Sequence, residues 1–180
     1  NFSIKPIKKL GLFKKMKRAG CKALQFGIES GSQRILRKMN KPFSIDQAEL
    51  ILRSSFSAGI QNFINLLIGF PGETEEDFME TLCFLERNRQ FIQGFGSITP
   101  CYLTPSSLLE HKCKEYDISY TDSTDFSLSW VDKQNNNYET RKQRISRLKE
   151  HIDHLKIPLD DINTQFFLDE ELKKFKCSPK

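Results

Sequence analysis

The sequence predicts an α/β chain. It reads as half of a partial (β/α) barrel or as an open sheet, with parallel strands and outer helices, followed by a mainly helical tail. Three observations carry that expectation. Segments with helical spacing of apolar residues alternate with short apolar runs, the rhythm of parallel βα units. The order helix, Ala-Gly, strand, turn occurs twice, with Ala19-Gly20-Cys21 and Ala58-Gly59-Ile60 as matching points. Finally, Phe63-Ile64-Asn65-Leu66-Leu67-Ile68 runs into Gly69-Phe70-Pro71-Gly72-Glu73-Thr74 and then into Glu75-Glu76-Asp77. That is the pattern of a buried strand, a tight turn and a helix start.

Taken in order, Ile7, Leu10, Phe13 and Met16 fall at helical spacing, and Gly20 ends that helix. A strand follows at Ala23-Leu24-Gln25-Phe26-Gly27-Ile28, then a Ser30-Gly31-Ser32 turn and a short helix from Gln33 to Met39. Ser44 with Gln47 reads as a capping box for the next helix. Its apolar stripe is Ala48, Ile51, Leu52 and Phe56, and Gly59 closes it. After the strand Phe63 to Ile68, Thr74 caps a helix over Glu75 to Asn88 with Phe78, Leu82 and Leu85 inward. A third strand is expected near Phe95 to Tyr102, and a helix from Pro105 to Cys113. About three strands are too few to close an eight-stranded barrel.

The polar stretch Thr121 to Asn137, with Trp130 inside it, reads as irregular. Trp130 fits either a core anchor or a substrate wall. Tyr138 to Leu155 reads as a charged helix with Ile145, Leu148, Ile152 and Leu155 on one face. A short helix is expected near Asp169 to Phe175, with Phe166, Phe167 and Leu172 docking back on the core. The expected domains are 1–118, the barrel half, and 119–180, an irregular segment plus a helical extension.

The 180 residues suffice for one domain with a real core, and the start at Asn1 suggests a piece of a longer protein. No apolar run is long enough to span a membrane and no signal peptide is visible, so a cytoplasmic location is expected. Five widely spaced cysteines, Cys21, Cys83, Cys101, Cys113 and Cys177, fit a reducing compartment and show no cluster or zinc spacing. The net charge is +5, and twelve Lys or Arg face one acid between Lys5 and Lys41. Such a basic face fits a solvated surface or nucleic acid.

In a parallel fold the loops after the strands converge at one edge, where ligands bind. Those loops carry Glu29-Ser30-Gly31-Ser32, Gly69 to Thr74, and Pro100 to Pro105. Glu29 stands directly after an apolar strand. It suits either ribose hydroxyls or an ammonium group, or backbone N–H groups of the next helix. Asn65 interrupts an apolar strand and, if buried, must be hydrogen-bonded. Lys41, before Pro42, lies near the mouth if the short helix folds over the sheet. His151 and His154 are three apart with no third metal ligand in view.

The stretch from Ala19 through Glu29-Ser30-Gly31-Ser32 to Leu36, Met39, Asn40 and Lys41 resembles the fourth-strand region of radical S-adenosylmethionine (SAM) enzymes. Ala58-Gly59-Ile60 through Gly69-Phe70-Pro71-Gly72-Glu73-Thr74 to Phe78 is similar to their fifth strand and following helix. Leu103-Thr104-Pro105-Ser106-Ser107-Leu108-Leu109 is similar to the loop after the sixth. The branch that often carries an N-terminal cobalamin-binding domain looks most similar, and the methylthiotransferase branch shares the Gly-Phe-Pro-Gly-Glu-Thr signature.

The resemblance implies S-adenosylmethionine as cofactor and its reductive cleavage to a 5′-deoxyadenosyl radical by a 4Fe–4S iron–sulfur cluster. It implies Glu29 on the ribose or methionine part, with Ser30 beside it. Lys41 falls near the cofactor carboxylate and Asn65 on the strand facing the cofactor. Ile68, Gly69 and Phe70 would border the adenine, partly through backbone. No Cys-x3-Cys-x2-Cys motif occurs here, so the cluster ligands are absent from this chain and the segment alone is expected to be inactive. The implied partners are a missing N-terminal half, which in this branch can include a cobalamin domain, and a small-molecule or RNA substrate. The alternative is a non-catalytic RNA-binding or interaction module that keeps the fold.

Overall fold

The computed structural model describes residues 11–104, 106–120 and 129–159. The expected helix near Asp169 to Phe175 lies outside them. Helix α1, Leu12–Arg18, leads through Gly20, at φ +93°, to strand β1, Ala23–Glu29. Helices α2, Gln33–Lys38, and α3, Ile45–Ser57, precede β2, Gln61–Ile68. Helix α4, Glu75–Asn88, and a 3-10 turn, Arg89–Phe91, precede β3, Gly94–Pro100. A short helix α5, Leu108–His111, is followed by β4, Ser119–Tyr120, which pairs antiparallel with β5, Trp130–Val131. Helix α6, Tyr138–His154, completes the described chain.

The three long strands form one parallel sheet in the order β1-β2-β3. An α/β partial barrel is thus what the chain builds. The two helix starts read from sequence are formed by the predicted side chains. Ser44 accepts from Gln47 N–H while Gln47 accepts from Ser44 N–H, and Thr74 and Asp77 make the same reciprocal pair. Four orphan N–H groups open every helix, and each box satisfies the N–H of the cap residue and that of the third helical residue.

The sheet has two unlike faces. Phe26 and Ile28 of β1, Ile64, Leu66 and Ile68 of β2, and Ile98 of β3 are buried under the helices. They join Phe78, Leu82 and Leu85 of α4 and Ile145, Leu148 and Ile152 of α6 in one core. Alternate residues Gln25, Gly27 and Glu29, with Phe63, Asn65 and Leu67, lie on the other face and are only half-buried. Helix α6 packs on β3 and α4, so Ile145, Leu148, Ile152, Leu155 and Ile157 belong to the same core.

Phe56 departs from its expected place in the α3 stripe. It is 42% exposed, edge-on to Phe91, and Ser55 takes the buried position. The Ser55 hydroxyl bonds to the Ile51 carbonyl and to Asn62, whose amide also donates to the carbonyls of Leu52 and Phe91. A polar knot between α3, β2 and the 3-10 turn thus displaces the larger ring.

Candidate functional site

The C-terminal edge of the sheet begins with a backbone irregularity. Glu29 is left-handed at φ +69°, which a non-glycine residue adopts rarely and usually where surroundings enforce it. The strand pairing slips at the same point, from Gly27 opposite Asn65 to Glu29 opposite Leu66. This bulge folds the Glu29 carboxylate back along the strand. A Cβ on Gly27 would lie 2.6 Å from Glu29 Oε1, so only glycine leaves the carboxylate that seat. Lys41, delivered by the turn after α2, donates to Glu29 Oε1 at 3.1 Å. Both side chains keep about a quarter of their surface in solvent, 23% for Glu29 and 28% for Lys41.

One rung toward the N-terminal end, Gln25 Nε2 donates to Asn65 Oδ1 at 2.6 Å. The two amides lie over Gly96 of β3, where any Cβ would overlap them. A second bulge, between Ile64 and Asn65 against β3, sets that register. The open face therefore carries a polar strip of Gln25, Asn65, Glu29 and Lys41 floored by two glycines. Glu29, Lys41 and Asn65 are brought to one face, as their sequence positions suggested. Gln25 was missed, although its alternation with Gly27 and Glu29 was a visible signal.

Four expected site residues lie elsewhere. Ser30 is fully buried and turns toward α4: its hydroxyl lies 3.4 Å from Thr81 Oγ1 and accepts from Ser32 N–H at 3.1 Å. The left-handed step at Glu29 sends the chain under α4, where a Cβ on Gly31 would meet Thr81 Cα at 2.6 Å. The Ile68 side chain belongs to the helix-covered core, since strand alternation sets it opposite to Asn65 and Leu67. Its carbonyl accepts from Cys101 N–H. Phe70 is buried against Tyr116, ring centroids 5.7 Å apart, in a second cluster with Ile35, Cys101, Leu103 and Trp130.

The Gly69–Phe70 backbone does not face an open cleft. Gly69 N–H donates to Glu73 Oε2 at 2.8 Å, and Asn136 Nδ2 donates to the carbonyls of Gly69 and Phe70 at 2.9 and 3.2 Å. Glu73 has no exposed surface and is held by Arg144 Nη1 at 3.0 Å. Burial pushes its carboxyl up to about 7, against the pull of Arg144 and the Gly69 N–H. Glu73 Oε1 has no hydrogen-bond partner among the described residues. Arg141, also fully buried, stacks 3.9 Å over Trp130 and donates to the carbonyls of Trp130 and Asn136. Burial lowers it to about 10. Trp130 is thus the core anchor of its two readings. Arg141 and Arg144 precede Ile145 and Leu148 by four residues, on the same helical stripe, and that was the sequence signal for them.

Asp77 ties the turn to α2. It accepts from Ser32 Oγ at 2.7 Å, from Thr74, and from Arg34 in a close ion pair. Burial alone would raise it, but these donors together hold it down at about 2.

The donor set fits one implied cofactor and not the other. A partly exposed carboxylate beside an ammonium, on a glycine floor, matches the zwitterionic and hydroxyl-rich parts of S-adenosylmethionine. An iron–sulfur cluster does not fit: no three His, Cys, Asp or Glu side chains converge among the described residues. Cys21, Cys83, Cys101 and Cys113 are separate free thiols, and burial pushes Cys101 up to about 12, away from a ligating thiolate.

Comparison with known proteins agrees with the fold and the motifs. The sequence model of the Radical SAM superfamily matches residues 2–85. A tRNA-2-methylthio-N(6)-dimethylallyladenosine synthase of Syntrophomonas wolfei is 41% identical over 71 residues, 38% of this chain and 16% of that protein. The synthase of the same name from Lawsonia intracellularis is 30% identical over 123 residues, 62% of this chain and 26% of its own length. Among solved structures, Escherichia coli coproporphyrinogen III oxidase, HemN, superposes with TM-score 0.58 at 16% identity, over 83% of this chain and 31% of that one. The cobalamin-dependent enzyme OxsB reaches TM-score 0.43, which carries no argument about branch. The chain spans about a sixth to a quarter of these curated relatives. The superfamily match over residues 2–85 takes in the two segments, 19–41 and 58–78, whose motifs resemble that family.

Proposed function

We propose that this chain supplies the S-adenosylmethionine-binding side of a radical SAM core whose cluster cysteines lie in sequence outside these 180 residues. The observation that supports it is the Glu29–Lys41 pair on the open face of the sheet, beside Gln25 and Asn65. A partly exposed ion pair of this kind contributes on the order of 1 kcal/mol to stability. A ligand can therefore separate it at little expense. Glu29 then accepts from an ammonium group or a ribose diol, and Lys41 meets a carboxylate. Gln25 and Asn65 orient the ligand, and Gly27 and Gly96 leave room for the Glu29 carboxylate and for these two amides. When bound, S-adenosylmethionine supplies the adenosyl group for the reductive cleavage that the resemblance implies.

The names of the relatives make a tRNA base the proposed substrate class of the whole protein. The rest of the catalytic core is its proposed partner. A cobalamin is proposed on the sequence resemblance alone, and cobalt analysis of purified full-length protein tests it.

The decisive experiment is titration of the full-length protein with S-adenosylmethionine. Glu29→Gln combined with Lys41→Met should weaken binding at least about tenfold, the worth of one charge-assisted bond. Unchanged affinity removes the face from the site. Salt-sensitive tRNA binding with no detectable S-adenosylmethionine binding would favour the interaction-module reading instead.

A further inference from the structure

Two side-chain amides lie side by side in the middle of the open face. Gln25 of β1 and Asn65 of β2 share one hydrogen bond, donated by Gln25 Nε2 to Asn65 Oδ1 at 2.6 Å. Both residues are half-buried, and neither side chain makes another hydrogen bond to a described residue. Gln25 Oε1 and Asn65 Nδ2 therefore stay open, one acceptor and one donor. Turning both amides over leaves the same pattern. Half-buried polar atoms of this kind are met by water or by a ligand.

The backbone is shaped around the pair. The bulge against β3 sets Asn65 opposite Ser97 and leaves Gly96 as the extra residue beneath the amides. A Cβ on Gly96 would overlap both of them. One position toward the N-terminal end of β2, Phe63 lies on the same face. Its ring rests on Gly94, where a Cβ would meet Phe63 Cε1 at 2.9 Å. The strip thus runs from an aromatic ring through an amide pair to the Glu29–Lys41 ion pair. Successive positions on one face of a strand are roughly 7 Å apart.

We infer that the Gln25–Asn65 pair reads the edge of a nucleobase of the adenine type, in which an amino N–H stands beside a ring nitrogen. This inference rests on the reading of the open face as the ligand-binding face. The amino N–H donates to Gln25 Oε1, and the ring nitrogen accepts from Asn65 Nδ2. Asn and Gln side chains meet adenine in this same donor–acceptor sense. Phe63 adds an aromatic surface of the kind on which bases stack. Glu29 and Lys41 remain for the charged and hydroxyl-bearing parts of the ligand. Two sources carry this chemistry, the adenine of S-adenosylmethionine and a base of a nucleic-acid substrate, and the test separates them.

Calorimetry on the full-length protein compares adenosine with purine riboside, which lacks the amino group, with and without saturating S-adenosylmethionine. A site that bonds the amino N–H penalises the probe without it, so adenosine should bind the wild type at least about tenfold tighter. Gln25→Met keeps the side-chain length and removes the acceptor, and should bring the two affinities within about twofold of each other. Asn65→Asp keeps the acceptor for Gln25 Nε2 and removes the donor, and should weaken both neutral probes about tenfold. Circular dichroism checks that both variants are folded. If the base is the cofactor's, saturating S-adenosylmethionine excludes adenosine, and Gln25→Met also weakens S-adenosylmethionine. If it is a substrate's, adenosine still binds the saturated protein, and Gln25→Met leaves S-adenosylmethionine affinity unchanged. Equal affinity of the two probes for the wild type, or a preference that survives Gln25→Met, overturns the base-reading inference alone when Glu29→Gln with Lys41→Met still weakens S-adenosylmethionine. Wild-type protein that binds neither S-adenosylmethionine nor adenosine overturns the open-face site and this inference with it.

Discussion

Replacing Glu73 by Gln tests the buried ion pair beneath the Gly69 turn. Burial raises the folded-state pKa of Glu73 from 4.5 to about 7. Below pH 4.5 both folded and unfolded chains hold the proton, and the group's relative stabilisation is fully present. Between 4.5 and about 7 the unfolded chain has released it while the folded chain keeps it. Stability therefore falls as pH rises through this window, by about 1.4 kcal/mol per pH unit for one proton. Over the window this amounts to roughly 3 kcal/mol. Glu73→Gln removes the titration and keeps an acceptor for Gly69 N–H and Arg144. The stability difference between wild type and variant should then shift by roughly 3 kcal/mol in favour of the variant from pH 4.5 to 8. Urea denaturation at half-unit pH steps measures it. A difference that stays constant within about 0.5 kcal/mol, within the usual scatter of such measurements, would show that Glu73 ionises as an ordinary surface carboxylate and refute the burial argument.

Other substitutions probe the remaining parts. Gly69→Ala should destabilise by about 3 kcal/mol, combining a left-handed Cβ with overlap on Arg141, as read by thermal unfolding; under about 1 kcal/mol would place Arg141 elsewhere. Thr74→Ala should lose about 1 kcal/mol, the usual worth of a cap. Asp77→Ala should lose more, since Ser32 and Arg34 also lose their acceptor. Because the Asp77 pKa is depressed from 3.8 to about 2, its contribution is present above 3.8 and disappears as pH falls toward 2, which acid titration of the wild type against Asp77→Ala reads out. Glu29→Gln should change stability by less than about 1 kcal/mol, because its ion pair is partly exposed; a larger loss would make Glu29 a structural residue rather than a binding one.

The sequence by itself determined the main helices and the three parallel strands in their order, though not the β4–β5 pairing, part of which lies in a stretch read as irregular. Capping boxes at Ser44 and Thr74, glycines ending helices, and apolar stripes on α4 and α6 are local signals, and each appears where it was read. The convergence of strand ends at one sheet edge also brought Glu29 and Asn65 under suspicion together. What only the tertiary structure decided is which groups meet across the chain. Ser30 and the Gly69–Phe70 backbone stand at the right edge of the sheet in sequence. Their polar atoms were nonetheless taken by Thr81, Asn136 and Glu73, residues brought there by folding. Buried polar groups must find partners, and sequence position does not say which partner arrives first. The same holds for Arg141 and Arg144, whose place on the apolar stripe of α6 did not say which groups would hold them. They are buried because Trp130, Glu73 and the turn's own carbonyls offer their guanidinium groups better partners than water at that one place in the fold.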